Sequence, residues 1–237
     1  MMVDTLWEQA SQQVPLASGD IHLWRASLQP SASALHRQMA LLSADELLRV
    51  QRLRNSAARD FAVARSTLRL ILSRYLTCSP ESIEFVYGDR GKPYLSSTTL
   101  AQYADGAQSS HIQFNVSHSG DVAVYAVTSH GTIGVDVECI RPVPHLMRLA
   151  QRYFSPQDCA SLRDLTDQGQ LQQFFHLWTE KEAYVKATGE GISGLSTAVR
   201  PVGWFFQSLQ IEADVLVTVA ASAATGQPRR YRWDHGG

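Results

Sequence analysis

The chain has 237 residues, of which 44% are apolar, enough for a packed core and far from a disordered composition. A formal net charge of -1 gives the whole molecule no general attraction for nucleic acid or an anionic membrane. No apolar run approaches transmembrane length, and Met1 to Gly19 lacks the basic-then-apolar order of a secretory leader. Cys78, Cys139 and Cys159 show neither metal-ligand spacing nor an even-numbered framework, so the expected setting is the reducing cytoplasm.

Ile21 to Leu28 alternates roughly and predicts the first strand, and Ser31 to Ala34 a loop leading into a helix. Ser43-Ala44-Asp45-Glu46 is a helix start, with Ser43 as cap and Glu46 as its partner three residues on. Everything from there to Leu76 has a helical composition, with arginine at 49, 52, 54, 59, 65, 69 and 74 against a single acid, Asp60, in the same stretch. Most of these belong on a solvated helical face. A few suit the phosphates of a nucleotide-like ligand, because guanidinium offers planar, bidentate donors.

Ile83 to Tyr87 predicts a strand, Gly88-Asp89-Arg90-Gly91-Lys92-Pro93 a turn, and residues 96 to 110 a polar surface loop. Phe114 to Gly120 runs from a strand into a tight turn, and Val122, Val124 and Ala126 return it as a hairpin. Ser117 and His118 are adjacent, but neighbours on an extended chain face opposite ways, which discounts a hydrolytic pair. The turn Ser129 to Thr132 marks the expected junction between residues 1–130 and 131–237.

Ile133-Gly134-Val135-Asp136-Val137-Glu138 alternates strictly and predicts a half-buried strand, with Gly134, Asp136 and Glu138 on one face. Carboxylates two residues apart sit roughly 6.6–6.8 Å from each other along a strand, close enough for their side chains to converge on one hard cation. The glycine beside them is expected to leave room for a ligand. His145 to Tyr153 predicts a helix, and Ser155-Pro156 the cap of another. From Phe174 to Gly191 apolar residues recur at three- and four-residue steps, a helix stopped by Gly189 and Gly191. Glu182 and Lys186 share a face of it, while Lys181 and Lys186 diverge by about 140°. Glu182 is the natural third carboxylate for an oxygen-rich site, and Mg2+ suits such a set. Trp204-Phe205-Phe206 and Val215 to Ala220 are further strand candidates. Thr225 to Gly237, with three arginines, is expected to be a basic, mobile tail.

Four segments stand in order here: Gly91-Lys92-Pro93, Phe114-Asn115-Val116-Ser117-His118-Ser119, Ile133 to Glu138, and Phe174 to Gly191. Together they resemble the signature of the 4'-phosphopantetheinyl transferases, in the larger, monomeric, Sfp-like type. The resemblance implies an α+β fold, with two similar halves in a pseudo-two-fold arrangement and the active site in the cleft between them. It implies transfer of 4'-phosphopantetheine from coenzyme A to a serine of an acyl or peptidyl carrier protein, with release of 3',5'-ADP. Residues 1–130 would form the coenzyme A side, and residues 131–237 the metal site and the carrier-protein side, with Leu146 and Met147 among the carrier contacts.

By the same resemblance Asp136, Glu138 and Glu182 hold Mg2+, and Glu182 is also the base. Lys186 stabilises phosphate, with Lys181 assisting nearby. The coenzyme A contacts implied are Arg49, Arg52 and Arg65, the turn Arg90-Gly91-Lys92-Pro93, then Asn115, Ser117, His118, Lys181 and Lys186. Phe61, Arg65, Leu68 and Arg69 fit the family's arginine-rich pattern. The arginine-aromatic pair that precedes it is absent, since Leu53 follows Arg52, and the family's acid falls near Ala57. The segment after Gly191 is shorter than the family's, by about a hairpin. Two other classes would use parts of this equipment: a Mg-dependent phosphohydrolase or nuclease, and a non-catalytic carrier-protein-binding module.

Overall fold

The structure is a computed structural model that describes residues 7–103, 111–191, 194–195, 200–224 and 226–235. It is an α+β fold in which one motif occurs twice. In the first copy strand β2 (Ile21–Ser27) leads, through helices, to the 21-residue helix α3 (Ser56–Leu76), and the hairpin β5 (Gln113–Ser119) and β6 (Val122–Thr128) follows. In the second, strand β7 (Ile133–Cys139) leads to the 22-residue helix α7 (Asp167–Thr188), followed by the hairpin β8 (Phe205–Glu212) and β9 (Val215–Ala221). Each leading strand pairs antiparallel with the second strand of its hairpin, giving the sheet orders β2-β6-β5 and β7-β9-β8. The expected similarity of the two halves is therefore a similarity of topology.

The first sheet is extended by β1 (Glu8–Gln9) and β10 (Arg229–Trp233), in the order β1-β10-β2-β6-β5. This corrects the expectation of a mobile basic tail: residues 229–233 run parallel between β1 and β2. Tyr231, 4% exposed, packs on Trp24 at 4.7 Å and edge-on to His22 at 5.2 Å, and Arg74 lies over Trp233. The arginines concealed an alternating strand whose aromatic residues carry the packing. Residues 225, 236 and 237 lie outside the described residues.

The long helical stretch expected from Ser43 to Leu76 is two helices, α2 (Ala44–Arg52) and α3, broken at Leu53 to Asn55, where Asn55 takes φ 54°. Ser43 and Glu46 form the capping box that the pattern predicts, Glu46 accepting the Ser43 N–H at 3.0 Å, and the Ser43 hydroxyl also donates to Asp45. The predicted strand at 83–87 is shorter, as β3 (Phe85–Tyr87), and forms a hairpin with β4 (Pro93–Leu95). The loop expected at 96–110 begins as a helix, α4 (Ser97–Tyr103), held by the Ser96 hydroxyl on the Thr99 N–H; residues 104–110 lie outside the described residues. Helices α1 (Ala32–Met39), α5 (Leu146–Tyr153) and α6 (Pro156–Arg163) complete the set, with Ser31 and Ser155 as side-chain caps of α1 and α6.

Two buried layers hold this together. One lies between α3 and the first sheet, around Trp24, Leu68, Ile71, Leu72 and Tyr125. The other joins the sheets, with Leu23, Val124 and Ala126 of the first against Ile133, Val135, Val217 and Val219 of the second. Strand β7 is thus covered on both faces rather than half-buried, since α7 closes the side that carries Asp136.

Candidate active site

Gly134 is where the site begins. A Cβ at this position would fall inside the Ala183 carbonyl and the Ala187 amide of α7. This corrects the expectation that the glycine leaves room for a ligand: the helix backbone fills that space. Close approach of helix to strand is what brings Asp136, two residues along β7, against Lys186 of α7.

Asp136 is 3% exposed. The Lys186 ammonium donates to its Oδ1 at 2.6 Å and to the Ser117 hydroxyl at 2.9 Å, and that hydroxyl donates to the same Oδ1 at 3.0 Å. Ser117 Oγ also accepts the Val137 N–H at 3.3 Å, so its one donor and two lone pairs are all used. Asp136 Oδ2 is buried with no hydrogen-bond partner. Glu138, at the end of the same strand face, receives Arg141 Nη1 on Oε2 at 2.9 Å. Glu182, one turn before Lys186, makes no hydrogen bond among the described residues.

Burial pushes the Asp136 and Glu182 carboxyls above the ordinary carboxylate range. Lys186 opposes the rise in both, Glu138 adds to it in both, and Asp136 adds to that of Glu182. Three carboxylates against the Lys186 ammonium and the Arg141 guanidinium still leave a local excess of negative charge. Among the described residues no three acidic, histidine or cysteine side chains are already gathered at one point, because Asp136 is turned to Lys186 and Glu138 to Arg141. An orphaned buried oxygen together with mutually repelling hard donors still fits a divalent, oxygen-seeking cation.

The cleft next to these groups is a cavity of about 270 Å3. It gathers Arg90, Gly91, Lys92 and Pro93 from the β3–β4 turn, Asn115 from β5, and Glu182 and Lys186 from α7. Lys92 crosses between halves: its ammonium donates to the carbonyls of Lys186 at 2.7 Å and Ala187 at 2.8 Å, and to that of Ile133 at 3.4 Å. It thereby caps the negative end of α7, and burial lowers its pKa to about 8. All three of its donors are used by carbonyls, a role that no pattern in the sequence announces. A larger cavity, about 690 Å3, lies elsewhere against Gln38, Arg74 and Trp233. It contains none of the convergent carboxylates, so chemistry and not volume locates the site.

The remaining candidates divide. Arg49 and Arg52 are exposed on α2, with Arg49 stacked over Phe61 at 4.7 Å. Arg65 is 7% exposed, lies 3.5 Å from Glu46 and 4.8 Å from the Phe85 ring. Arg69, fitted to the same pattern, is wholly internal, bonded to Glu46 at 2.8 Å and to the carbonyls of Pro80 and Ile83. His118 is exposed, on the face of β5 opposite Ser117. Lys181 points away from the acidic corner, donating to the Leu195 carbonyl at 3.0 Å beside a separate cavity lined by α6 and Phe206.

Paired carboxylates on a strand, a third on a helix, and a lysine beside a glycine-turned cleft are equipment suited to chemistry on a phosphate ester. Residues 132–220 match the profile of the 4'-phosphopantetheinyl transferase superfamily, and residues 26–130 that of the 4'-phosphopantetheinyl transferase N-terminal region. The chain is 35% identical to the 4'-phosphopantetheinyl transferase HetI of Nostoc sp. over 245 residues, covering 98% of this chain and all of the relative. A putative 4'-phosphopantetheinyl transferase of Synechocystis sp. is 39% identical over 68% of this chain and 63% of its own length. The 4'-phosphopantetheinyl transferase of Bacillus subtilis is 30% identical over 69% of this chain and 67% of its own. The chain belongs to the 4'-phosphopantetheinyl transferase family, and its activity is transfer of the phosphopantetheine group.

Proposed function

We propose that this protein moves 4'-phosphopantetheine from coenzyme A to a serine of an acyl or peptidyl carrier protein, and that Asp136, Glu138 and Glu182 hold Mg2+ during the reaction. The observation that carries this is the buried, half-orphaned Asp136 carboxylate beside Lys186, at the edge of a cleft shared by both halves. Bound there, Mg2+ would neutralise charge on the diphosphate and on the departing 3',5'-ADP.

The chain's own residues supply the rest. The acceptor serine oxygen forms a bond to the β-phosphorus as the bond from that phosphorus to the ADP oxygen breaks. Glu182 takes the serine proton; burial raises its pKa, which makes it a better acceptor than an ordinary carboxylate. Lys186, already charge-paired at this point, offers its ammonium to the phosphate oxygens. Arg90 and the backbone of the Gly91 turn line the coenzyme A side of the cleft, and Arg49 and Arg52 are available to its outer phosphates. Residues 1–130 are assigned to the coenzyme A side, and 131–237 to the metal and carrier side, except that β10 (Arg229–Trp233) adds to the first sheet.

The protein acts as a monomer in this reading, because two similar halves of one chain form the cleft. No described helix is long and apolar enough to cross a membrane, and all three cysteines are free, which suits a reducing cytoplasm. Intact mass of a small apo carrier protein after incubation with coenzyme A, Mg2+ and this protein is the test. A gain of one phosphopantetheine that disappears with EDTA is expected. No gain with several unrelated carriers, from a folded sample that binds coenzyme A, refutes it.

A further inference from the structure

The open edge of β7 is not paired to another strand's backbone on the β5 side. Instead, side chains of β5 take its N–H groups: Asn115 Oδ1 accepts from Val135 at 2.9 Å, Ser117 Oγ from Val137 at 3.3 Å, and Ser119 Oγ from Cys139 at 3.1 Å. Every second residue of β5 is used, as the two-residue period of a strand requires. The two serines do something more. Ser117 donates its hydroxyl proton to Asp136 Oδ1 at 3.0 Å, and Ser119 donates to Glu138 Oε2 at 3.3 Å. Each serine therefore accepts from the residue after a carboxylate and donates to the carboxylate itself, at the same offset of nineteen residues.

The pattern repeats atom for atom at the oxygens. A cation holds the same oxygen as the serine in both cases, Lys186 on Asp136 Oδ1 and Arg141 on Glu138 Oε2. The second oxygen of each carboxylate, Asp136 Oδ2 and Glu138 Oε1, has no hydrogen-bond partner among the described residues. One oxygen is anchored and the other is left to a ligand. That is the arrangement by which an outer hydrogen bond orients a metal-binding carboxylate.

We infer that Ser117 and Ser119 are positioning residues that fix the two strand carboxylates for the cation, and that β5 thereby transmits the packing of the first half to the metal site of the second. This rests on the assignment of Asp136 and Glu138 to Mg2+. Ser119 is the sharper probe, because the Ser117 hydroxyl also accepts from Lys186, whereas among the described residues the Ser119 hydroxyl bonds only Glu138 and the Cys139 amide.

The test compares Ser119→Ala and Ser119→Thr with the unaltered protein, by Mg2+ titration calorimetry on the free protein and by the Mg2+ dependence of transfer. Ser119→Ala is expected to weaken Mg2+ binding about 10-fold and to raise the half-saturating Mg2+ concentration of transfer by a similar factor. The rate at saturating Mg2+ stays within about twofold, and threonine, which keeps the hydroxyl, restores the wild-type titration. A purely structural role at the strand edge predicts a lower melting temperature with unchanged Mg2+ affinity in the alanine variant; that result overturns the inference. Full transfer by the unaltered protein in EDTA is a different outcome, which removes the metal assignment and this inference with it.

Discussion

Gly134→Ala is the smallest change with the largest expected consequence. The added Cβ comes well inside 3.0 Å of the Ala183 carbonyl oxygen and the Ala187 amide nitrogen, closer than real Cβ atoms come. Both obstacles are backbone of the same helix, so no side chain can rotate away, and α7 must retreat from β7 by about 1 Å. Overpacking of this kind costs about 1–3 kcal/mol, which in a chain of this size lowers the melting temperature by about 2–12 °C. The catalytic loss is expected to be greater. Glu182 and Lys186 ride on the displaced helix while Asp136 stays on the strand, and a misplacement of about 1 Å is worth roughly 100-fold in rate. Thermal melting and single-turnover transfer, measured on the same preparation, separate the two effects. A Gly134→Ala protein with near-wild-type transfer would refute the close-approach account, as would a loss of activity no larger than the fraction of unfolded protein at the assay temperature.

Glu182→Gln is expected to abolish transfer and, in the absence of Mg2+, to raise the melting temperature slightly, because it removes a half-buried carboxylate that Asp136 and Glu138 repel. A lower melting temperature in EDTA would contradict this. Arg69→Met takes the nearer of two arginines from the buried Glu46 carboxylate, leaving Arg65 at 3.5 Å, and strands two carbonyls, so a loss of about 3 kcal/mol and poor soluble yield are expected. Exposed Arg49→Ala should fold normally and raise KM for coenzyme A; equal stability losses in the two variants would count against the division of arginines drawn here. Burial holds His22, assisted by Arg229 and opposed by Asp20, down to about 4, against about 6.5 in an unfolded chain. The unfolded state therefore binds the proton first, and this contribution is complete above pH 6.5 and is lost as pH falls towards 4. It amounts to about 3 kcal/mol, so melting temperatures of wild type and His22→Gln should converge between pH 7 and pH 4.5; parallel curves would show that His22 is not the titrating group.

Much of the site was readable in advance because it depends on local periodicity. The alternation at 133–138 fixes which residues share a strand face, and the helical period at 174–188 fixes that Glu182 and Lys186 lie together while Lys181 diverges. The divergence has the expected result, with Lys181 bonded to the Leu195 carbonyl on another side of α7. Caps at Ser155 and Gly189 follow from residue type alone, whereas Ser31 to Ala34, which reads as a loop, is the cap and first turn of α1. The partners of internal cations were not legible from charge. Arg65 and Lys92, read by resemblance as coenzyme A contacts, meet Glu46 and the end of α7; Arg69 is internal against Glu46; and Arg229 to Trp233, read as a tail, run between β1 and β2.

The sequence by itself determined the elements, the residues that share each face, and the chemical equipment of an enzyme acting on a phosphate ester. Only the tertiary structure decided which oxygen of Asp136 is anchored, which N–H groups of β7 are taken by serines, and why position 134 has no side chain. Those are distances between segments some twenty to fifty residues apart, set by how a helix and two sheets pack, and local pattern holds no record of them.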